Sequence, residues 1–222
     1  VVTRGPEQKN RVIHTHFRFT RDVINICAKD NRLDIVFKPK HPDFINFSHT
    51  DLEKKADKII SEMKQAKNKN MTVMFYSGII GSIPGKIDVA KKIMNRFVEH
   101  LKNRSDDLFI INPSLYYEPG MDADDLMYMW EIVQRSGYID IWRFQTFEDI
   151  AQSFEIMAQK VPPEWIGKDA TYSTGCTKEM RIAQDVQKEN PEMQLMGPAV
   201  DKFMRRDKYG VGSMYDQRLA GV

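Results

Sequence analysis

Residues 72–86 read TVMFYSGIIGSIPGK, and this stretch decides the fold. Thr72 to Tyr76 is a continuous apolar run, the pattern of a strand covered on both faces, as in parallel sheets. The glycine-bearing loop Ser77 to Lys86 turns the chain into a helix from about Ile87 to Lys102. Val89, Ala90, Ile93, Met94 and Phe97 mark that helix's inner face. Toward the C-terminus, Leu108 to Ile111 is a second apolar strand closed by Asn112-Pro113. A helix over Asp122–Arg135 has acids in its first turn, where the helix dipole favours them. Tyr138 to Phe144 (YIDIWRF) is a third strand. Thr146 caps a further helix to Gln159, and Pro162-Pro163 breaks it. A last helix starts at Ser173 or Thr174 and runs to about Lys188, before a short strand over Met193–Met196. Toward the N-terminus, Leu52, Ala56, Ile59, Ile60 and Met63 recur at helical spacing behind Ser48-His49-Thr50. Such alternation predicts an α/β fold over residues 51–198, Rossmann-like, with an open, mostly parallel sheet and helices on both faces.

Two flanks lie outside this pattern. Residues 1–50 predict a β-rich N-terminal extension. Arg11 to Thr20 alternates apolar and polar side chains, and Val23 to Cys27 and Leu33 to Phe37 are short β-branched runs. Residues 199–222 carry Gly210, Gly212 and Gly221 but no sustained period, so an irregular C-terminal arm is expected.

Composition excludes several classes. Thirty-three Lys and Arg face 31 Asp and Glu, a net charge of +2 that points to no polyanion and leaves nucleic acid an open question. No apolar stretch approaches the roughly 20 residues that span a bilayer, so no membrane partner is expected. Cys27 and Cys176 stand far apart, without metal or redox spacing, which suits a reducing, cytoplasmic setting. No cofactor and no metal are expected: His14 and His16 share a strand face but lack a third ligand nearby.

Chemistry in an open parallel sheet belongs at the carboxyl ends of its strands. That rule selects Tyr76–Lys86, Asn112–Gly120 and the helix start near Gly175. The segment GSIPGK at 81–86 is one residue short of a Walker loop, and Ile87 stands where a Ser or Thr would bind magnesium. The loop is therefore either a tight strand-to-helix turn or an anion cradle. Glu179 is either a capping-box acid or a carboxylate aimed at the rim. Cys176, near a helix N-terminus, is either a packed thiol or an activated one. Trp130, Trp142, Trp165 and the pair Tyr116-Tyr117 are either core or stacking platforms.

Three motifs in this order carry a resemblance: Tyr76-Ser77-Gly78 at a strand end, Ile111-Asn112-Pro113-Ser114 after the next strand, and Gly175-Cys176-Thr177-Lys178-Glu179 with Ala183 four residues on. Over about residues 72–197 the chain resembles the nucleoside 2-deoxyribosyltransferase-like family. The resemblance implies that Glu179 attacks the anomeric carbon and that Tyr76 orients it. It implies that Ser77, Gly78, Asn112 and Gly175 line the sugar site. By the same resemblance Asp140, opening the third strand, lies near the sugar, and Asp169 stands for the family's loop aspartate. The segment Gln145–Tyr172 is longer than the family's usual connection.

The expected function is a nucleoside- or nucleotide-binding protein that cleaves or exchanges an N-glycosidic bond through a carboxylate nucleophile. From another class comes the alternative of a non-catalytic assembly component. The first forty residues hold nine Lys and Arg against four acids, and residues 121–160 hold eight acids against three bases. Opposite patches on one chain favour a homo-oligomer or membership of a larger complex.

Overall fold

The computed structural model describes residues 2–4, 12–13, 33–35, 48–118, 121 and 123–209. The chain divides into two compact units, Val1–Phe44 and Ile45–Val222. In the first, β1 (Val2–Arg4), β2 (Val12–Ile13) and β3 (Leu33–Ile35) form an antiparallel sheet in the order β2-β1-β3. Val2 pairs with both Ile13 and Ile35. The central strand is thus Val2–Arg4, three residues too short to show a period. The expected strand over Val23–Cys27 and the pair His14 and His16 lie outside the described residues.

The second unit is the α/β body. Helix α1 (His49–Asn68) opens with a reciprocal capping box: the Ser48 hydroxyl accepts from Asp51 N at 3.2 Å, and the Asp51 carboxylate accepts from Ser48 N. Then come β4 (Thr72–Ser77), α2 (Ile87–Lys102), β5 (Leu108–Ile111), α3 (Ala123–Gln134), β6 (Ile141–Phe144), α4 (Phe147–Ile156), α5 (Thr174–Glu189), β7 (Gln194–Met196) and α6 (Val200–Tyr209). All four strands are parallel, in the order β5-β4-β6-β7. The sheet is therefore of the expected open, doubly wound kind. Its order reverses beside β4: the chain leaves β4 for β5 on one side and returns to β6 on the other. That reversal makes the carboxyl ends of β4 and β6 the switch point of the sheet.

Right-handed crossovers fix where the helices go. The step from β4 to β5 runs opposite to the steps into β6 and β7, so α2 lies on one face and α3 and α5 on the other. Strand alternation then sorts the side chains of β4. Val73 and Phe75 enter the larger core with α1, α3 and α5, where Phe75 meets Trp130 and Trp142 edge-on at 5.4 and 5.3 Å. Met74 and Tyr76 turn the other way, toward Met94 and Phe97 of α2.

The long connection Gln145–Tyr172 has a packing role. Alone, α2 leaves part of its face of the sheet uncovered, and α4 fills that part. Ile150 and Phe154 of α4 pack with Ile93 of α2 and with Trp165, which is fully buried. Ala158, at φ 54°, and Pro162-Pro163 then turn the chain back toward α5.

The C-terminal arm is not irregular where it is described. Residues 200–209 form α6, and Phe203 is fully buried, edge-on to Phe144 at 5.2 Å. Lys202 pairs with Asp169, and the Arg206 guanidinium lies 3.7 Å from the Tyr172 ring centroid. Gly197 makes the turn into this helix: it sits at φ +123°, and a side chain there would strike the Phe144 carbonyl. The three apolar residues Val200, Phe203 and Met204 span one turn among charged neighbours, too short a pattern to read as a helix. Residues 210–222 lie outside the described residues.

Candidate functional site

The end of β4 at the switch point carries the polar cluster that matters. Ser77 continues the Phe75 side of the strand, so its hydroxyl faces α5. The Trp142 indole Nε1–H donates to Ser77 Oγ at 2.8 Å, which leaves the Ser77 proton for Glu179. Ser173 caps α5 by accepting from Cys176 N at 3.2 Å, and Glu179 follows within the next turn. Its carboxyl oxygen Oε1 accepts from Gln134 Nε2, at the end of α3, at 3.0 Å. Glu179 is 6% exposed, and Ser77 and Gln134 are fully buried.

Burial is the main force on Glu179. It raises the carboxyl from 4.5 to about 7, against the opposing pull of hydrogen bonds from Ser77, Gln134 and Cys176. A carboxyl that titrates near neutrality is poised to change its charge during a reaction. Its neighbour Cys176 is the opposite case. Burial and the Glu179 charge push the thiol well up, and its Sγ also lies 3.3 Å from the Gly78 carbonyl oxygen. Cys176 is thus a packed thiol, not an activated nucleophile.

Gly78 follows Ser77 in the chain, and Gly175 opens α5 just before Cys176. A side chain at Gly78 would meet Met94 at 3.1 Å and the Gln145 side-chain oxygen Oε1 at 3.2 Å, whereas one at Gly175 would lie in ordinary contact with Ser173 at 3.5 Å. Asp169 stands close by. Ala170 N donates to the Gln145 carbonyl at 2.8 Å at the end of β6, and the Asp169 charge reaches Cys176. Its carboxylate is engaged by Thr171 and by Lys202 of α6.

The other expected site residues lie elsewhere. Tyr76 does not meet Glu179. One residue of strand alternation puts it on the α2 face, where its hydroxyl donates to Asp149 Oδ2 at 3.4 Å and its ring stacks on Phe97. Asp149 is itself held by Arg143 at 2.6 Å and caps α4 through Thr146. Asn112 turns toward α2 as well, donating to Asn95 Oδ1 at 2.7 Å and accepting from Ser114 N at 3.1 Å. Asp140 sits at the amino end of the sheet: it accepts from Val73 N at 2.8 Å and pairs with Lys67 at 2.6 Å. The residue beside Glu179 on β4 is Ser77. Gln134 was not among the expected residues, although a polar side chain four residues after buried Trp130 marks an exception on an inner helix face.

The Gly78–Lys86 loop closes as a turn, with Lys86 N donating to the Ile83 carbonyl at 3.2 Å and Gly85 at φ +69°. Lys86 pairs with Glu164 at 2.6 Å. Trp130, Trp142 and Trp165 are all core. Among the described residues no group of three or more His, Cys, Asp or Glu gathers to hold a metal ion, and no helix is long and apolar enough to cross a membrane. Comparison of the chain with protein-family models, with curated proteins and with solved structures finds no match.

Proposed function

We propose that this protein binds a nucleoside or nucleotide at the carboxyl end of β4 and cleaves or exchanges its N-glycosidic bond, with Glu179 as nucleophile. The observation that carries the reading is Glu179 itself. It is a buried carboxyl raised to about 7, without an ion-pair partner among the described residues, and it lies at the switch point. A carboxylate kept only for stability is normally neutralised by a cation or left in water.

The chemistry follows from the parts. Ionised Glu179 attacks the anomeric carbon, and an ester bond forms as the carbon–nitrogen bond breaks. The electron pair leaves with the base, which takes a proton from solvent. Water, or a second base, then attacks the same carbon and releases the carboxylate. Ser77 and Gln134 hold Glu179 through both steps.

The test is a panel of purine and pyrimidine nucleosides and their 5′-monophosphates, with free base followed by chromatography. Wild-type protein is expected to release base from at least one member, and Glu179→Gln from none. The binding substrate should also raise the melting temperature, since a hundredfold excess over Kd stabilises by about 2.7 kcal/mol. Neither base release nor a thermal shift with any member at millimolar concentration overturns the reading.

A further inference from the structure

Gln134 has a feature that packing does not explain. It is fully buried, its Nε2 donates to Glu179 Oε1 at 3.0 Å, and its own Oε1 has no hydrogen-bond partner among the described residues. A buried amide oxygen left unpaired is costly, so an arrangement that keeps one calls for a reason. The partner supplies it. A glutamine amide presents a donor on one side and an acceptor on the other, and a half-turn about its last torsion exchanges them. An ionised carboxylate accepts only, whereas a protonated carboxyl also donates.

We propose that Gln134 is a positioning residue for Glu179 whose amide follows the carboxyl proton, giving Nε2–H to the carboxylate and Oε1 to the carboxylic acid. One side chain then holds Glu179 in the same place in both charge states. In the reading of Glu179 as a nucleophile, on which the catalytic meaning of this role rests, the carboxyl enters the reaction aligned whichever form precedes it. The groups acting on Glu179 are Ser77 from β4, Gln134 from α3 and the Cys176 thiol of its own helix. Of these the thiol alone titrates, and burial pushes it well up. The Asp169 charge acts on that thiol and is itself countered by Lys202. Gln134 and the rotatable Ser77 hydroxyl are therefore the groups left to track the proton near neutral pH, and only Gln134 has an unpaired oxygen to offer among the described residues.

The experiment needs no substrate, so it stands or falls separately from the glycosidic reading. Protein labelled with carbon-13 in glutamate side chains and nitrogen-15 in glutamine amides is titrated by NMR. The Glu179 carboxyl carbon and the Gln134 amide nitrogen are expected to move together, with one shared midpoint. Gln134→Leu removes a bond from both forms and should still raise the Glu179 midpoint, because the charge-assisted bond to the carboxylate is the stronger of the two. Gln134→Glu should split the titration into two steps belonging to the pair. A Gln134 amide resonance that stays still while Glu179 titrates overturns the proposal, and that measurement uses wild-type protein alone.

Discussion

Glu179→Gln is expected to make the protein more stable at pH 8 by on the order of 2–3 kcal/mol, while leaving stability at pH 4 nearly unchanged. The sign follows from the direction of the shift. Burial raises the folded carboxyl from 4.5 to about 7, so between those values the native state binds more protons than the unfolded chain. Stability contributed by the protonated form is present below 4.5 and is lost as pH rises through about 7. Above that, wild-type protein holds a desolvated charge that glutamine does not carry. At 6% exposure, solvent screening relieves little of this cost. In a body of this size the gain corresponds to roughly 5–10 °C in melting temperature. Urea unfolding of both proteins at pH 4 and pH 8 measures it. Equal stability at both pH values would remove the case for a destabilised, poised carboxyl. A gain in stability joined to a loss of base release is the pattern of a residue kept for function.

Phe203→Ala should cost about 3–5 kcal/mol, because it empties a fully buried aromatic position. The side chain closes the larger core against Phe144, and its removal leaves Val200 and Met204 on that core and the contacts of Lys202 with Asp169 and Arg206 with Tyr172. The lowered urea midpoint should come without a change in slope if the rest of the body stays folded. A cost below about 1 kcal/mol would mean that α6 is not docked in solution. The docked helix also bears on self-association. Lys202 is used within the chain, on Asp169, so this part of the tail's charge is already spent on an internal contact.

How much could be read from sequence differs between the fold and the site. The run TVMF of β4 and the helical periods on either side were enough for an α/β body, because a strand covered on both faces has few other homes. The same uniformity hid the faces. With Phe75 and Tyr76 both fully buried, nothing in the pattern said which of them shares a side with α5. Tyr76 therefore drew attention that belongs to Ser77, which shares the Phe75 side of the strand and accepts there from Trp142. Glu179 was legible from its place one turn into a helix after Gly175. Asp140 misled because a strand has two ends, and ligands collect only at the carboxyl one. The long Gln145–Tyr172 connection looked foreign to a short catalytic loop. It is the cover for the half of the sheet that α2 cannot reach, and its Trp165, far from α2 in sequence, completes that layer with Ile93. Helix α6 escaped notice because one apolar turn gives no period, and its stability comes from tertiary contact with Phe144 instead.

The most direct test of Glu179 as nucleophile is the covalent species it must form. Protein mixed with a substrate that releases base is quenched in acid within the first turnovers, digested, and its peptides weighed. The assignment predicts one peptide heavier by the glycosyl group, bearing it as an ester on Glu179, and no such peptide in Glu179→Gln. A glycosyl group on any other residue, or base release with no enzyme-bound sugar at any quench time, would contradict it.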